Sequence, residues 1–194
     1  LEHVYTMKII NNLEEAVNIL LDQKPLVIFQ ENSEWGARAL GNRSILFDPR
    51  NKDAKNIINK LKGREWWRPL AGTILLEYAQ DWFNMGSLKE SPYMNFAIEA
   101  KELAVKNIPE IVHVDNTCRI QTVTKQQNEN FYNLIKYFYE KTNVPILLNT
   151  SFNLNEFPIV ETLEQALMFC ECSEFKYLYT PEYKPVNIFK KNDI

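Results

Sequence analysis

Apolar residues recur along this chain in two rhythms: stripes at helical spacing, and short unbroken runs rich in β-branched side chains. Leu13, Ala16, Val17, Leu20 and Leu21 repeat at intervals of three and four, which predicts an amphipathic helix. Asn12 with Glu15 three residues on reads as a capping-box start, and the pattern ends near Gln23. Pro25 then opens Leu26-Val27-Ile28-Phe29, whose length and branching predict a buried strand. A polar loop with Gly36 and Gly41 separates it from a second short strand, Ser44-Ile45-Leu46-Phe47, which stops at the turn Asp48-Pro49. Residues 52–61 put Ala54, Ile57, Ile58 and Leu61 on one helical face, residues 62–69 break the pattern, and residues 70–76 return to strand.

The second half continues the alternation. Residues 93–98, 111–114 and 119–124 have strand character, and residues 130–141 carry a helical stripe of Phe131, Leu134, Ile135 and Phe138 that reads as core. Pro145-Ile146-Leu147-Leu148 is a buried strand that ends in the polar cluster Asn149, Thr150, Ser151 and Asn153. Residues 161–172 read as a helix and 176–179 as a last short strand, with an irregular tail after Pro181. Strands interleaved with helices at these spacings give an α/β (α+β) layer fold in a single domain, a mixed sheet with helices packed on it. There is no internal repeat or long linker.

Composition narrows the function classes. The chain has 194 residues, 45% hydrophobic and 24% charged, the profile of a globular domain rather than a disordered or fibrous one. No apolar run approaches the roughly 20 residues of a membrane span. Leu1-Glu2-His3-Val4 shows neither a basic nor an apolar leader region, so a cytoplasmic location without membrane contact is the expectation. The start without Met reads as a fragment or as a subunit of a longer assembly. Cys118, Cys170 and Cys172 are odd in number and lack zinc-knuckle spacing, which fits reduced thiols. With His3 and His113 as its histidines, the chain offers no His-rich metal site, and His113 between two valines reads as a half-buried strand residue. A net charge of −3 disfavours nonspecific nucleic-acid binding and suits a local anion pocket.

The arginines mark where that pocket lies. Of 22 basic residues only six are Arg, and Arg38, Arg43, Arg50, Arg64 and Arg68 fall within 31 residues, with Arg119 in a polar turn of its own. A chain so biased towards Lys uses Arg where the planar guanidinium fork matters, as in bidentate recognition of phosphate or carboxylate. Structural salt bridges are the competing account. Lys62, Arg64 and Arg68 stand beside Trp66, Trp67 and Pro69, where apolar surroundings strengthen phosphate binding. The two indoles read as packing or as a stacking surface for a base. Asn149-Thr150-Ser151 after a buried strand reads as a ligand-facing sheet edge or as a local Asx turn. Asp115 with Thr117 initiates a turn, or orients Arg119 or a metal-bound water. No phosphate-loop or dinucleotide fingerprint is present.

Read together, Glu34-Trp35-Gly36-Ala37-Arg38-Ala39-Leu40-Gly41-Asn42-Arg43-Ser44-Ile45-Leu46 and Asp48-Pro49-Arg50 resemble the opening of the C-terminal domain of the NodU/CmcH-type O-carbamoyltransferases. Lys62-Gly63-Arg64-Glu65-Trp66-Trp67-Arg68-Pro69, Ser91-Pro92-Tyr93-Met94, His113-Val114-Asp115 with Thr117 and Arg119, Gln121-Thr122-Val123 and Val144 through Asn153 continue the likeness in order, over about residues 12–185. The resemblance implies a YrdC-like domain that binds ATP and carbamoyl phosphate and forms carbamoyl adenylate with release of pyrophosphate. A separate actin-like N-terminal domain would then pass the carbamoyl group to a hydroxyl. That domain is missing from this sequence. The family pattern has Pro at Ala37 and Gly-Glu at Glu156-Phe157, so the loop after Asn153 is expected to be reshaped.

On that resemblance Lys62 and Arg68, with Arg64, bind the triphosphate or carbamoyl phosphate, and Arg38 and Arg119 serve the α-phosphate or carbamoyl group. Arg43, Asp115, Thr117, Asn149, Ser151 and Asn153 complete the binding set. Mg²⁺ is expected on the phosphates, with no metal ligand assigned to the protein. Two other functions are open: a non-catalytic nucleotide- or anion-binding module that regulates a partner, and a YrdC-like RNA-binding protein.

Overall fold

The computed structural model describes residues 7–183; the reading of the tail beyond Tyr183 and of residues 1–4, His3 included, lies outside them. One mixed sheet of eight strands runs through the described chain. The strands are β1 (Lys8–Ile10), β2 (Leu26–Phe29), β3 (Arg43–Phe47), β4 (Ala71–Leu75), β5 (Ala97–Glu99), β6 (Thr117–Val123), β7 (Ile146–Ser151) and β8 (Tyr177–Tyr179). Their order is β1-β8-β2-β3-β7-β4-β6-β5. β3 is antiparallel to β2 and β7, β7 is antiparallel to β4, and β4 is parallel to β6. The central strands are buried on both faces, which is why they read as unbroken apolar runs rather than as alternation.

Helices cover the sheet: α1 (Leu13–Leu21), α2 (Ala54–Leu61), α3 (Ala79–Trp82), α4 (Glu102–Asn107), α5 (Glu129–Thr142) and α6 (Leu163–Glu171). The stripe Phe131, Leu134, Ile135 and Phe138 of α5 is wholly buried, and α5 packs on α1, β4 and β7. Each such side chain stabilises the fold by roughly 1.5–3 kcal/mol. Asn128 caps α5, its Oδ1 accepting from Phe131 N at 3.0 Å. Asn12 does the same for α1 through Glu15 N, also 3.0 Å. The Glu15 carboxylate, however, turns to Lys8 Nζ at 2.5 Å instead of completing the box.

Several expectations are corrected. Residues 111–114 form no strand: Ile111 ends a 3-10 turn, Val114 is fully exposed, and His113 sits in a tight turn whose N–H donates to Thr117 O at 2.7 Å. The strand expected over residues 93–98 shrinks to β5. β7 runs on to Ser151, so Asn149 and its neighbours belong to the strand rather than to a turn after it. β1, α3 and α4 lacked any sequence signal strong enough to predict them. No described helix is long and apolar enough to cross a membrane.

Candidate functional site

Sheet register brings the polar segments together. Ala71 pairs with Asn149 on one side, and Gly72 pairs with Ile120 on the other, so Asn149, Ala71 and Arg119 lie side by side across β7, β4 and β6. Two residues further along, Thr73 pairs with Gln121 on the same face. The carboxyl end of β7 therefore meets the amino ends of β3, β4 and β6. This differs from the expected edge made of strand carboxyl ends, because β7 runs antiparallel to β3 and β4.

At that edge lies a small cleft of about 70 Å³ whose lining includes Arg38, Arg64, Met94, Arg119, Asn149 and Ser151, together with residues 69–71. Three guanidinium groups line it and no carboxylate does. Three of its buried polar atoms have no hydrogen-bond partner: Arg64 Nη2, Arg119 Nε and Asn149 Oδ1. Buried orphans on this scale are uncommon in folded proteins, and donors left over among like charges call for an anion. Burial first, and then neighbouring arginines, pull Arg64 down to about 10. Burial and then Arg38 lower Arg119. Both groups stay cationic at neutral pH.

Arg64 is aimed by Asn59, a fully buried residue of α2 that the sequence reading passed over. Asn59 Oδ1 accepts from Arg64 Nε at 2.6 Å, and its Nδ2 donates to Trp66 O and Arg68 O, each at 3.0 Å. One amide thus folds residues 62–69 and sets the guanidinium. Gly63, at φ +65, turns the chain just after α2. Lys62 beside it is buried, and its Nζ donates to Ser151 O, to Ser151 Oγ at 3.3 Å and to Asn153 Oδ1 at 3.1 Å. Burial, with Arg64 adding to it, lowers the Lys62 amine to about 6. Lys62, Ser151 and Asn153 form one cluster, of which Ser151 lines the cleft while Lys62 and Asn153 lie outside its lining.

Beneath the cleft runs a buried amide and hydroxyl network. Thr73 Oγ1 donates to Gln121 Oε1 at 2.8 Å, and Asn149 Nδ2 donates to Thr73 Oγ1 at 2.9 Å. Asn149 Nδ2 also reaches Ala39 O at 3.1 Å, and Gln121 Nε2 donates to Leu40 O at 2.8 Å. The loop before β3 is therefore tied to the sheet. Its other side is held by Glu34, whose carboxylate accepts from the N–H groups of Leu40, Asn42 and Arg43 at 2.7, 3.1 and 3.2 Å. Burial nonetheless raises the Glu34 carboxyl above its usual range. Thr73 is a polar residue in the otherwise apolar run of β4, a signal that would have picked it out, whereas Gln121 stands among other polar residues of β6.

The other predicted residues lie elsewhere. The Arg43 guanidinium donates to the carbonyls of Gln30, Asn42, Glu31 and Glu161 and sits 3.7 Å from the centre of the Phe29 ring; it staples backbone segments. Arg50 pairs with buried Asp48 at 2.6 Å. Arg68 lies outside the cleft lining, its Nε on Glu65 at 2.6 Å. Asp115 Oδ1 accepts from Thr117 N and Oγ1 at 3.0 and 2.7 Å, shaping the turn into β6. Trp35, Trp66 and Trp67 are exposed.

The chain is 45% identical over 140 residues to nodulation protein NolNO of Sinorhizobium fredii, covering 71% of this chain and 21% of the relative. An uncharacterized protein of Methanocaldococcus jannaschii is 38% identical over 166 residues, covering 86% of this chain and 32% of the relative. The chain thus spans about a fifth to a third of these relatives. Among solved structures, HypF in its phosphate- and nucleotide-bound form aligns with a TM-score of 0.58 at 16% identity, over 86% of this chain and 24% of HypF, and HypF of T. kodakarensis with a TM-score of 0.56 at 14% identity, over 88% of this chain and 22% of that one. These likenesses show a shared fold. The family described as Carbamoyltransferase C-terminus matches residues 17–184, a span that takes in the arginine cleft, the network beneath it and the sheet that carries both, and the chain belongs to that family.

Proposed function

We propose that this chain is the carbamoyl-adenylate-forming part of an O-carbamoyltransferase. Carbamoyl phosphate is hydrolysed to carbamate and phosphate, and a carbamate oxygen attacks the α-phosphorus of ATP. Pyrophosphate leaves, and the carbamoyl group is activated for a hydroxyl acceptor held by a partner domain. One observation carries the reading: a carboxylate-free cleft lined by Arg38, Arg64 and Arg119 holds buried guanidinium donors with no partner in the protein. Donors fixed in advance around a developing phosphoryl charge are what such a reaction needs. Lys62, with Ser151 and Asn153, would complete the phosphate-binding wall.

ATP fits this donor set through its phosphates, since the unpaired atoms of Arg64 and Arg119 are cationic donors. The cleft lining offers Mg²⁺ no carboxylate, so the ion would ride on the nucleotide's phosphate oxygens and water, where it neutralises charge. That a fold neighbour is described as phosphate- and nucleotide-bound supports the nucleotide. The shorter span of this chain relative to its relatives supports a separate acceptor-handling portion.

The test is titration calorimetry of Mg·ATP into the chain, with and without carbamoyl phosphate, followed by mass spectrometry for carbamoyl adenylate. Saturable binding that Arg119→Ala weakens by about tenfold or more is expected, at roughly 1.4 kcal/mol per decade. A folded chain that binds Mg·ATP under neither condition overturns the reading.

A further inference from the structure

Asn149 carries a signal that phosphate recognition leaves unused. It is 1% exposed, it lines the cleft, and its Oδ1 has no partner. Its Nδ2 faces three oxygens: Ala39 O at 3.1 Å, Thr73 Oγ1 at 2.9 Å and Gln121 Oε1 at 3.3 Å. The single hydroxyl proton of Thr73 goes to Gln121 Oε1, and Gln121 Nε2 is spent on Leu40 O. Turning the Asn149 amide over would set its oxygen against acceptors on every side, so the network fixes which atom points where. The unpaired atom is an acceptor.

A fully ionised phosphate has no proton to give it, so an anion alone leaves Asn149 Oδ1 unpaired. The other two orphans, Arg64 Nη2 and Arg119 Nε, are donors. The residues lining the cleft thus hold two unpaired donors and one unpaired acceptor. A group bearing a carbonyl oxygen and an NH₂ on one carbon answers both at once.

We propose that Asn149 Oδ1 accepts a hydrogen bond from the NH₂ of the bound carbamoyl group, with Thr73 and Gln121 holding the amide in that orientation, so that the cleft selects carbamoyl over acetyl. This rests on the carbamoyl phosphate reading above and adds the residue that recognises the acyl end. An acetyl group is nearly the same shape but puts a methyl against Oδ1. The acceptor then stays buried and unpaired, which is the strongest form of rejection available to a site of this size.

Two stable phosphonates separate the possibilities. Phosphonoacetamide keeps the NH₂, acetonylphosphonate replaces it by methyl, and inorganic phosphate serves as the reference, all by calorimetry on the intact chain. The wild type is expected to bind phosphonoacetamide at least about tenfold more tightly than acetonylphosphonate. Asn149→Ala should reduce that preference to within about threefold. Thr73→Val, which frees the amide to turn, should shift the preference the same way and serves if Asn149→Ala does not fold. Equal wild-type affinity for the two phosphonates, with phosphate still bound, overturns the inference alone and assigns Oδ1 to another donor such as a ribose hydroxyl. Failure of all three ligands to bind a folded chain overturns the carbamoyl phosphate reading as well.

Discussion

Lys62 is the side chain whose protonation the fold controls most strongly within the candidate site. In the unfolded chain it has the ordinary lysine value of 10.5, and in the fold burial and Arg64 lower it to about 6. Between those values the unfolded state holds one more proton than the folded state, so stability attributable to this residue rises with pH across the window. Binding reverses the balance, because a phosphate dianion beside the amine favours its charged form. At pH 7.5, phosphate or Mg·ATP should bind with uptake of about one proton, read from calorimetry in buffers of different ionisation enthalpy. Affinity should fall as pH is raised from 6 towards 9. Lys62→Met should abolish the uptake, and proton-neutral binding by the wild type would sink the argument. Glu156 makes a second prediction. It sits at φ +69, left-handed backbone that suits the Gly which the family resemblance has there. Glu156→Gly should therefore stabilise the chain by about 0.5–1 kcal/mol, after the entropy cost of Gly in the unfolded state, seen as a higher urea midpoint at unchanged slope. Residue types were legible in the sequence, but roles were not. Arg38 and Arg43 share one segment, yet Arg43 is consumed by four backbone carbonyls while Arg38 lines the cleft. Only the path of the chain through residues 29–43 and past Glu161 decides between them.

At the scale of elements, the loop before β3 depends on one glycine. Gly41 lies at φ +116, and a Cβ there would drive into the ring of Phe131 on α5. Its N–H donates to Ser44 Oγ at 3.0 Å and its carbonyl accepts from Gln30 Nε2 at 2.9 Å. Gly41→Ala combines strained backbone with overpacking of a buried aromatic, so a loss of roughly 2–4 kcal/mol is expected, measured by denaturant unfolding. The loop also carries Arg38 and the carbonyls that fix Asn149, so binding of phosphonoacetamide should weaken in any folded fraction. A substitution tolerated without loss would show that the loop does not clamp on α5. Elements with an apolar run or a full stripe, such as β2, β7 and α5, were legible because burial alone dictates their pattern. β1 was not, since three residues at the end of the sheet are placed by pairing with β8, more than 160 residues away in sequence. Val112 and Val114 misled for the opposite reason. Their branching suits a strand, but the Asp115 and Thr117 turn overrides it and leaves Val114 in solvent.

Across the whole molecule, the net charge of −3 contrasts with a cleft lined only by cations and neutral groups, which favours small anions over extended polyanions. The same region carries the most exposed indoles. Trp35 is fully exposed, Trp66 and Trp67 are 70% and 59% exposed, and Tyr93 and Phe96 are exposed as well. They belong to the segments that supply Arg38, Arg64 and Met94 to the cleft. Exposed rings of this size are the side chains an interaction face would use, and the relatives have two thirds or more of their length beyond the part matched here. On the function proposed above, these indoles are the candidate contact for an acceptor-handling portion. Trp66→Ser combined with Trp67→Ser should move the melting temperature of this chain by no more than about 2 °C, as exposed substitutions do, and should leave phosphonoacetamide affinity within about twofold. Assayed together with an acceptor-handling portion, carbamoyl transfer should fall by about tenfold or more while adenylate formation persists, the scale expected for aromatic anchors of an interface. A fall of many degrees in this chain alone would reassign the rings to holding residues 62–69 in place, and unchanged transfer with the acceptor-handling portion present would show that they make no such contact.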